Sequence, residues 1–179
     1  MPARRQQSGF TLVEVITVTV LLVILGSTAL ARYQDLSEAA EDAKVEAIYA
    51  TVSNYIHTLN GPRYTLAGSP NDLTWVDIDG VNIRYRSGNM RVTQDADHVP
   101  LGTPNRASQA TRLWYMIYTV PPPVITQSDT TSAGWAMYVG PAPCGAFRTR
   151  CWKYRRNGTE LAVITYWINP GTVTLVKNF

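Results

Sequence analysis

Two cysteines and two histidines are all the thiol and imidazole groups in 179 residues. That excludes a disulfide-dense scaffold, and no Cys/His pair has metal-ligand spacing. His57 and His98 stand alone, and His57 falls in a helical stretch where it reads as structural or exposed. The chain has no serine elbow, no Cys/His nucleophile pair and no phosphate-binding loop. An enzyme reading therefore has nothing to rest on, and no cofactor is called for. Charge is also scarce. Charged residues make up 16% of the chain and the formal net charge is +3, too little to suggest nucleic-acid binding by bulk charge. Acids are missing from two long stretches, between Asp129 and Glu160 and after Glu160. Disorder is excluded by a hydrophobic content of 45%. The length suits one domain with a sizeable core.

What is present is unevenly placed. From Phe10 to Ala31 the chain reads FTLVEVITVTVLLVILGSTALA, with Glu14 its one charge. A bilayer core takes about 20 residues of helix, so this segment is long enough to span. Arg4 and Arg5 precede it, which keeps that end cytoplasmic and sends the rest outside. Ala29-Leu30-Ala31 can be read as a secretory cleavage site. The length of the apolar run and the costly acid at Glu14 argue against that reading.

The stretch Gly9-Phe10-Thr11-Leu12-Val13-Glu14-Val15 resembles the prepilin peptidase site of type IV pilins and pseudopilins. The resemblance implies cleavage between Gly9 and Phe10 and N-methylation of Phe10, with the apolar helix kept on the mature protein. The amine freed on Phe10 of an incoming subunit would pair with Glu14 of a neighbour and set their axial register. The rival reading makes Glu14 a side chain snorkelling from a plain signal anchor.

From Arg32 the sequence turns amphipathic. Leu36, Ala40, Ala43, Ala47, Ala50 and Ile56 recur at helical spacing, widened by Ala39, Val52, Tyr55 and Leu59. Gly61-Pro62 is a stop signal. One helix from Phe10 to Asn60 would be about 75 Å long. Residues Arg32 to Ala40 resemble the segment after the membrane helix in pilins of the mannose-sensitive haemagglutinin (MSHA) type. Here Ala31 stands where that type usually has Pro, and Gly26 lies one turn later than its usual Gly.

The remainder carries strand signals. Trp75–Ile78 and Val81–Tyr85 flank the turn pair Asp79-Gly80. Pro104 to Tyr118 reads as a helix with Thr103 as N-cap, although Leu113–Tyr118 is rich in strand formers. Pro121 to Ser132 reads as a loop. Cys151–Arg156, Asn157-Gly158 and Leu161–Ile168 make a hairpin with a type I′ turn. The sequon Asn157-Gly158-Thr159 is explained by that turn. Asn169-Pro170-Gly171 turns into a last strand, Val173–Val176, and Trp135–Val139 brings the antiparallel sheet to about four strands. The expected fold class is α+β, the pilin fold. The expected divisions are a cleaved leader 1–9, a membrane and filament-core half-helix 10–31, an amphipathic half-helix 32–60 and a globular head 61–179.

Cys144 and Cys151 admit a disulfide in an exported head, with two buried thiols as the alternative. Pilins often carry such a bridge near the C-terminus. Arg148, Arg150, Lys153, Arg155 and Arg156 form a basic run interleaved with aromatics. Three readings stand: contact with nucleic acid or another anionic surface, assembly against the acidic stretch Asp35, Glu38, Glu41, Asp42 and Glu46, or a solvated strand face. Asp72, Asp77, Asp79, Asp95 and Asp97 are scattered loop or strand acids. Major pseudopilins hold calcium with C-terminal loop acids, which this chain lacks after Glu160.

The expected function is a filament subunit of a type IV pilus serving adhesion, motility or DNA uptake. Its partners would be copies of itself, the prepilin peptidase and the inner-membrane assembly machinery. It would be stored in the inner membrane and displayed on the cell surface. The rivals are a pseudopilin of type II secretion and a membrane-anchored binding or enzymatic domain that keeps residues 1–9.

Overall fold

The computed structural model describes residues 11–65, 73–78, 81–86, 89–91, 101–105, 108–140, 144–145, 149–168 and 171–179. For residues 60–65 and the strands within 73–91 it describes the backbone alone. The chain divides into two compact units, Met1–Lys44 and Val45–Phe179. Helix α1 spans Leu12–Thr65. Its first turn is closed by a reciprocal capping box. The Thr11 N–H and hydroxyl each donate to Glu14 Oε2 at 2.9 Å, and the Glu14 N–H donates to Thr11 Oγ1 at 3.3 Å.

Within the first unit every large apolar side chain from Leu12 to Leu30 is more than half exposed. The polar groups of this stretch are satisfied inside the helix. Thr17 and Thr19 donate to the carbonyls of Val13 and Val15, and Ser27 and Thr28 donate to the turn before them. Such back-bonding lets hydroxyls sit in hydrocarbon without orphaned donors.

The second unit is built on the rest of α1. Val45, Ile48, Val52, Ile56 and Leu59 are buried at spacings of three and four residues. Val52, Ile56 and Leu59 belong to the expected stripe, whereas its alanines and Leu36 are corrected. Ala40, Ala43, Ala47, Ala50 and Leu36 are exposed, as is Ala39. Periodicity alone does not separate two apolar stripes. The one with the larger side chains removes more surface from water per turn, and it wins the core. The helix also runs past Gly61-Pro62 to Thr65. Pro62 forfeits one hydrogen bond this near the end, and the last turn continues around it.

Two sheets follow. β1 (Leu73–Ile78), β2 (Val81–Arg86) and β3 (Asn89–Arg91) form a three-stranded antiparallel sheet in that order. The expected hairpin is there, and β3 extends it. The second sheet has the order β4 (Gly134–Val139), β5 (Thr149–Arg156), β6 (Thr159–Trp167) and β7 (Thr172–Lys177), all antiparallel neighbours. Asn157 and Gly158 take φ of 50° and 77° at the β5–β6 turn, as a type I′ turn requires.

In the chain between the two sheets, α2 spans Gln109–Ile117. It begins five residues later than Pro104. Asn105 has φ 54°, a left-handed conformation that a helix cannot contain. Ser108 supplies the N-cap instead of Thr103, its Oγ accepting from the Thr111 N–H at 3.1 Å.

Alternation along the strands makes two cores. On one face of the second sheet, Trp135, Met137, Trp152, Tyr154, Ile164 and Tyr166 meet α1 and α2. Trp114 of α2 lies between the rings of Trp135 and Trp152, with centroids 5.3 and 5.9 Å away. The Trp152 indole N–H donates to the Ala110 carbonyl at 3.1 Å. On the other face, Ile125, Ala136, Tyr138, Cys144 and Cys151 form a smaller cluster. Ile125 comes from the proline-led loop, which returns to bond Trp135 through Pro123 O and the Ile125 N–H. Gly134 permits that approach, since a Cβ there would lie 2.7 Å from Ile125 and 2.9 Å from Pro123 O. The α+β expectation of a long helix packed on a four-stranded antiparallel sheet holds.

Candidate functional site

The chemistry singled out in the sequence falls in three places. The first is the start of α1. Gly9 and Phe10, the expected cleavage and methylation positions, lie outside the described residues. Thr11 and Glu14 are described, and Glu14 is engaged by Thr11 through the capping box rather than standing as a bare acid in an apolar run. The pattern Thr11-x-x-Glu14 carried that signal in the sequence. Beyond it the helix is apolar and long enough to cross a membrane, and among the described residues that apolar stretch is exposed.

The second is the cysteine pair. Cys144 and Cys151 form a disulfide with Cα atoms 5.7 Å apart. It ties the chain before β5 to the third residue of that strand, against Tyr138 and Ile125. Closing so short a loop is worth about 2.5 kcal/mol by chain entropy. Cys151→Ser should therefore lower the melting temperature by roughly 8 °C. An unchanged transition in thermal unfolding would remove the bridge from the account.

The third is the basic run of β5, and the structure does not gather it into one patch. Arg150 shares the face of Trp152, where its guanidinium holds Gln109 Oε1 at the start of α2 and donates to the Thr149 carbonyl. Lys153 and Arg155 lie on the opposite face, both 5.5 Å from the Tyr138 ring centroid. Lys153 also pairs with Glu160 at 2.9 Å. Arg155 donates to the Gln127 carbonyl at 2.7 Å and so pins the covering loop. Arg156 is exposed at the β5–β6 turn, and Arg148 lies outside the described residues. Of the acidic stretch, Glu46 is committed to Lys177 at 2.7 Å. His57 is exposed on α1, and His98, Asp72, Asp79, Asp95 and Asp97 lie outside the described residues. Among the described residues no three His, Cys, Asp or Glu side chains converge as a metal would require.

In the described part of the head, Asp129 and Tyr118 are held away from their ordinary ranges. The Asp129 carboxylate accepts from the Ser132 and Thr131 N–H groups and the Thr131 hydroxyl, which hold it down at about 2. It stays ionised through any physiological pH and keeps the loop over β4 folded. Burial pushes the Tyr118 phenol up to about 12, against a smaller opposing hydrogen bond with Thr51. Tyr118 donates to the Ile48 carbonyl at 3.2 Å, tying the end of α2 to α1. The folded head keeps this proton where the unfolded chain releases it, near pH 10.0. Stability should fall as pH rises from about 10 to about 12, read as a falling denaturant midpoint. A midpoint unaffected by alkali in wild-type protein, but shifted in Tyr118→Phe, would contradict this.

Residues 4–30 match the family model for the prokaryotic N-terminal methylation motif. No curated protein and no solved structure matches the chain. The matched motif marks the N-terminus as prepilin-type, the segment that type IV pilins and pseudopilins carry. It is a structural motif rather than that of an enzyme family. Such an N-terminus implies processing by a prepilin peptidase and assembly into a pilus-like polymer.

Proposed function

We propose that this chain is the structural subunit of a type IV pilus, nearest the MSHA type. A prepilin peptidase cuts between Gly9 and Phe10, and Phe10 is N-methylated. Residues 10–31 hold the subunit in the inner membrane until assembly and then form the filament core. Residues 32–60 carry the helix into the head, residues 61–179. Glu14 of a neighbouring subunit receives the Phe10 amine of each incoming one. The filament serves adhesion, motility or DNA uptake, and the subunit itself performs no catalysis.

The observation that carries this reading is the prepilin-type N-terminus set on an apolar helix whose large side chains, from Leu12 to Leu30, are more than half exposed among the described residues. Buried apolar surface stabilises only where a partner exists. This stretch has two candidate partners, the bilayer before assembly and other copies after it. Deleting the prepilin peptidase from the producing cell should leave residues 1–9 on the chain and remove the protein from the surface fraction. A subunit still displayed with residues 1–9 attached would favour the anchored-domain reading. A processed subunit found only in periplasmic fibres would favour the pseudopilin.

A further inference from the structure

The filament reading makes no use of the three-stranded sheet. In the β1–β2 pairing Trp75 stands opposite Arg84, and in the β2–β3 pairing Arg84 stands opposite Arg91. Trp75, Arg84 and Arg91 thus form one cross-strand row. The next row on the same face is Leu73, Arg86 and Asn89, and on the other side lies Asp77 opposite Asn82. The intervening positions give the other face Val76, Ile78, Val81, Ile83, Tyr85 and Met90. One face therefore collects three arginines, a tryptophan and one acid, while the other is almost wholly apolar. That is the pattern of an antiparallel sheet with one packed face and one polar face.

Like charges at directly opposed positions destabilise a strand pair, and Arg84 and Arg91 are so opposed. Asp77, at the position diagonal to Arg84, is the one acid that the register places on this face. Arg84 and Arg86 are spaced about 6.6 Å apart along β2 by the strand rise. All three cations are arginine, the side chain whose planar fork takes phosphate oxygens in pairs. An indole in the same row supplies a surface on which a base can stack. An aromatic platform beside a basic track is how unpaired strands are held without sequence preference.

We infer that the face bearing Trp75, Arg84, Arg86 and Arg91 binds single-stranded nucleic acid, its phosphates taken by the arginines and a base by Trp75. The site is distinct from the basic run of β5, where Arg150, Lys153 and Arg155 are engaged within the chain. It also stands independently of filament formation, because binding is a property of the single subunit.

The test is fluorescence anisotropy of a labelled oligothymidylate with the full chain in detergent, across a salt series. Arg84→Ala with Arg91→Ala should weaken binding by more than about tenfold and flatten the slope of log affinity against log salt by about 1.4, the contribution of two single-strand phosphate contacts. Trp75→Ala should weaken binding and leave that slope unchanged. Arg84→Lys with Arg91→Lys should restore the slope, which a misfolded head would not do. Lys153→Ala should bind as the wild-type chain does. No binding by the wild-type chain, or equal binding by the Arg84/Arg91 double variant, would overturn the proposal. So would an effect of Lys153→Ala matching that of the double variant. Displacement of the oligonucleotide by an acidic polysaccharide at equal charge concentration would overturn it too, by assigning the face to that class of polymer.

Discussion

Glu14→Gln should give a subunit that is cleaved and held in the membrane but scarcely polymerised. Removing one partner of a charge pair in low dielectric costs about 3 kcal/mol, roughly two orders of magnitude in subunit association. The capping box makes Gln the informative substitution. Gln serves at the third helical position as well as Glu does, so Glu14→Gln keeps the Thr11 cap and loses only the charge. Glu14→Ala loses both. If pairing with the Phe10 amine drives assembly, the two variants fail alike when sheared filament is quantified. If Gln restores filaments that Ala abolishes, the acid serves its own helix start and the intersubunit pairing is wrong. Normal yield from both would dispose of either role.

Trp152→Ala should be the most damaging single change in the head, at about 4 kcal/mol for emptying a fully buried aromatic site. Trp152 lies against Trp114, and its indole N–H holds the Ala110 carbonyl of α2. Truncation therefore opens a cavity and leaves that carbonyl without this donor. The loss is of the order of a whole domain's stability, so the variant should fail to accumulate at the growth temperature. Trp152→Phe keeps most of the volume and should fold with a lowered melting temperature. An Ala variant as stable as the Phe variant would mean that the aromatic cluster is not the head's anchor.

The elements readable from sequence were those specified by neighbours in the chain. The apolar helix from Leu12, the turn at Asn157-Gly158 and the strands beside it follow from local pattern, and they stand where pattern puts them. The start of α2 was lost because Pro104 has the right chemistry for a helix start, whereas the left-handed Asn105 forecloses it. The buried stripe of α1 was legible at Val52, Ile56 and Leu59 but not at Val45 and Ile48, because alanines and larger residues both recur at helical spacing. Only the partner surface of Trp135, Ile164 and their neighbours decides which stripe is covered. The loop returning over Gly134, and the third strand at Asn89–Arg91, depend on pairing that no short window contains.

The candidate site divides the same way. The N-terminal segment was legible as a linear motif, and residues 4–30 match one. The capping role of Glu14 is written in the sequence too, as Thr11-x-x-Glu14. The basic run of β5 looked like a single surface because its residues are contiguous. In a strand, contiguous residues alternate faces, and Arg150 and Lys153 accordingly serve different parts of the head. The arginines of β2 and β3 are separated in sequence, and the register alone brings them together.

The central claim is that the chain is processed at Gly9, oxidised in its head and displayed as a filament. Intact mass spectrometry, without reduction, of protein sheared from the cell surface tests all three at once. The account predicts a mass for Phe10 to Phe179 plus one methyl group, less the two hydrogens lost in the Cys144–Cys151 bridge. A sheared fraction without the protein, beside a membrane fraction holding the full chain from Met1, would contradict it.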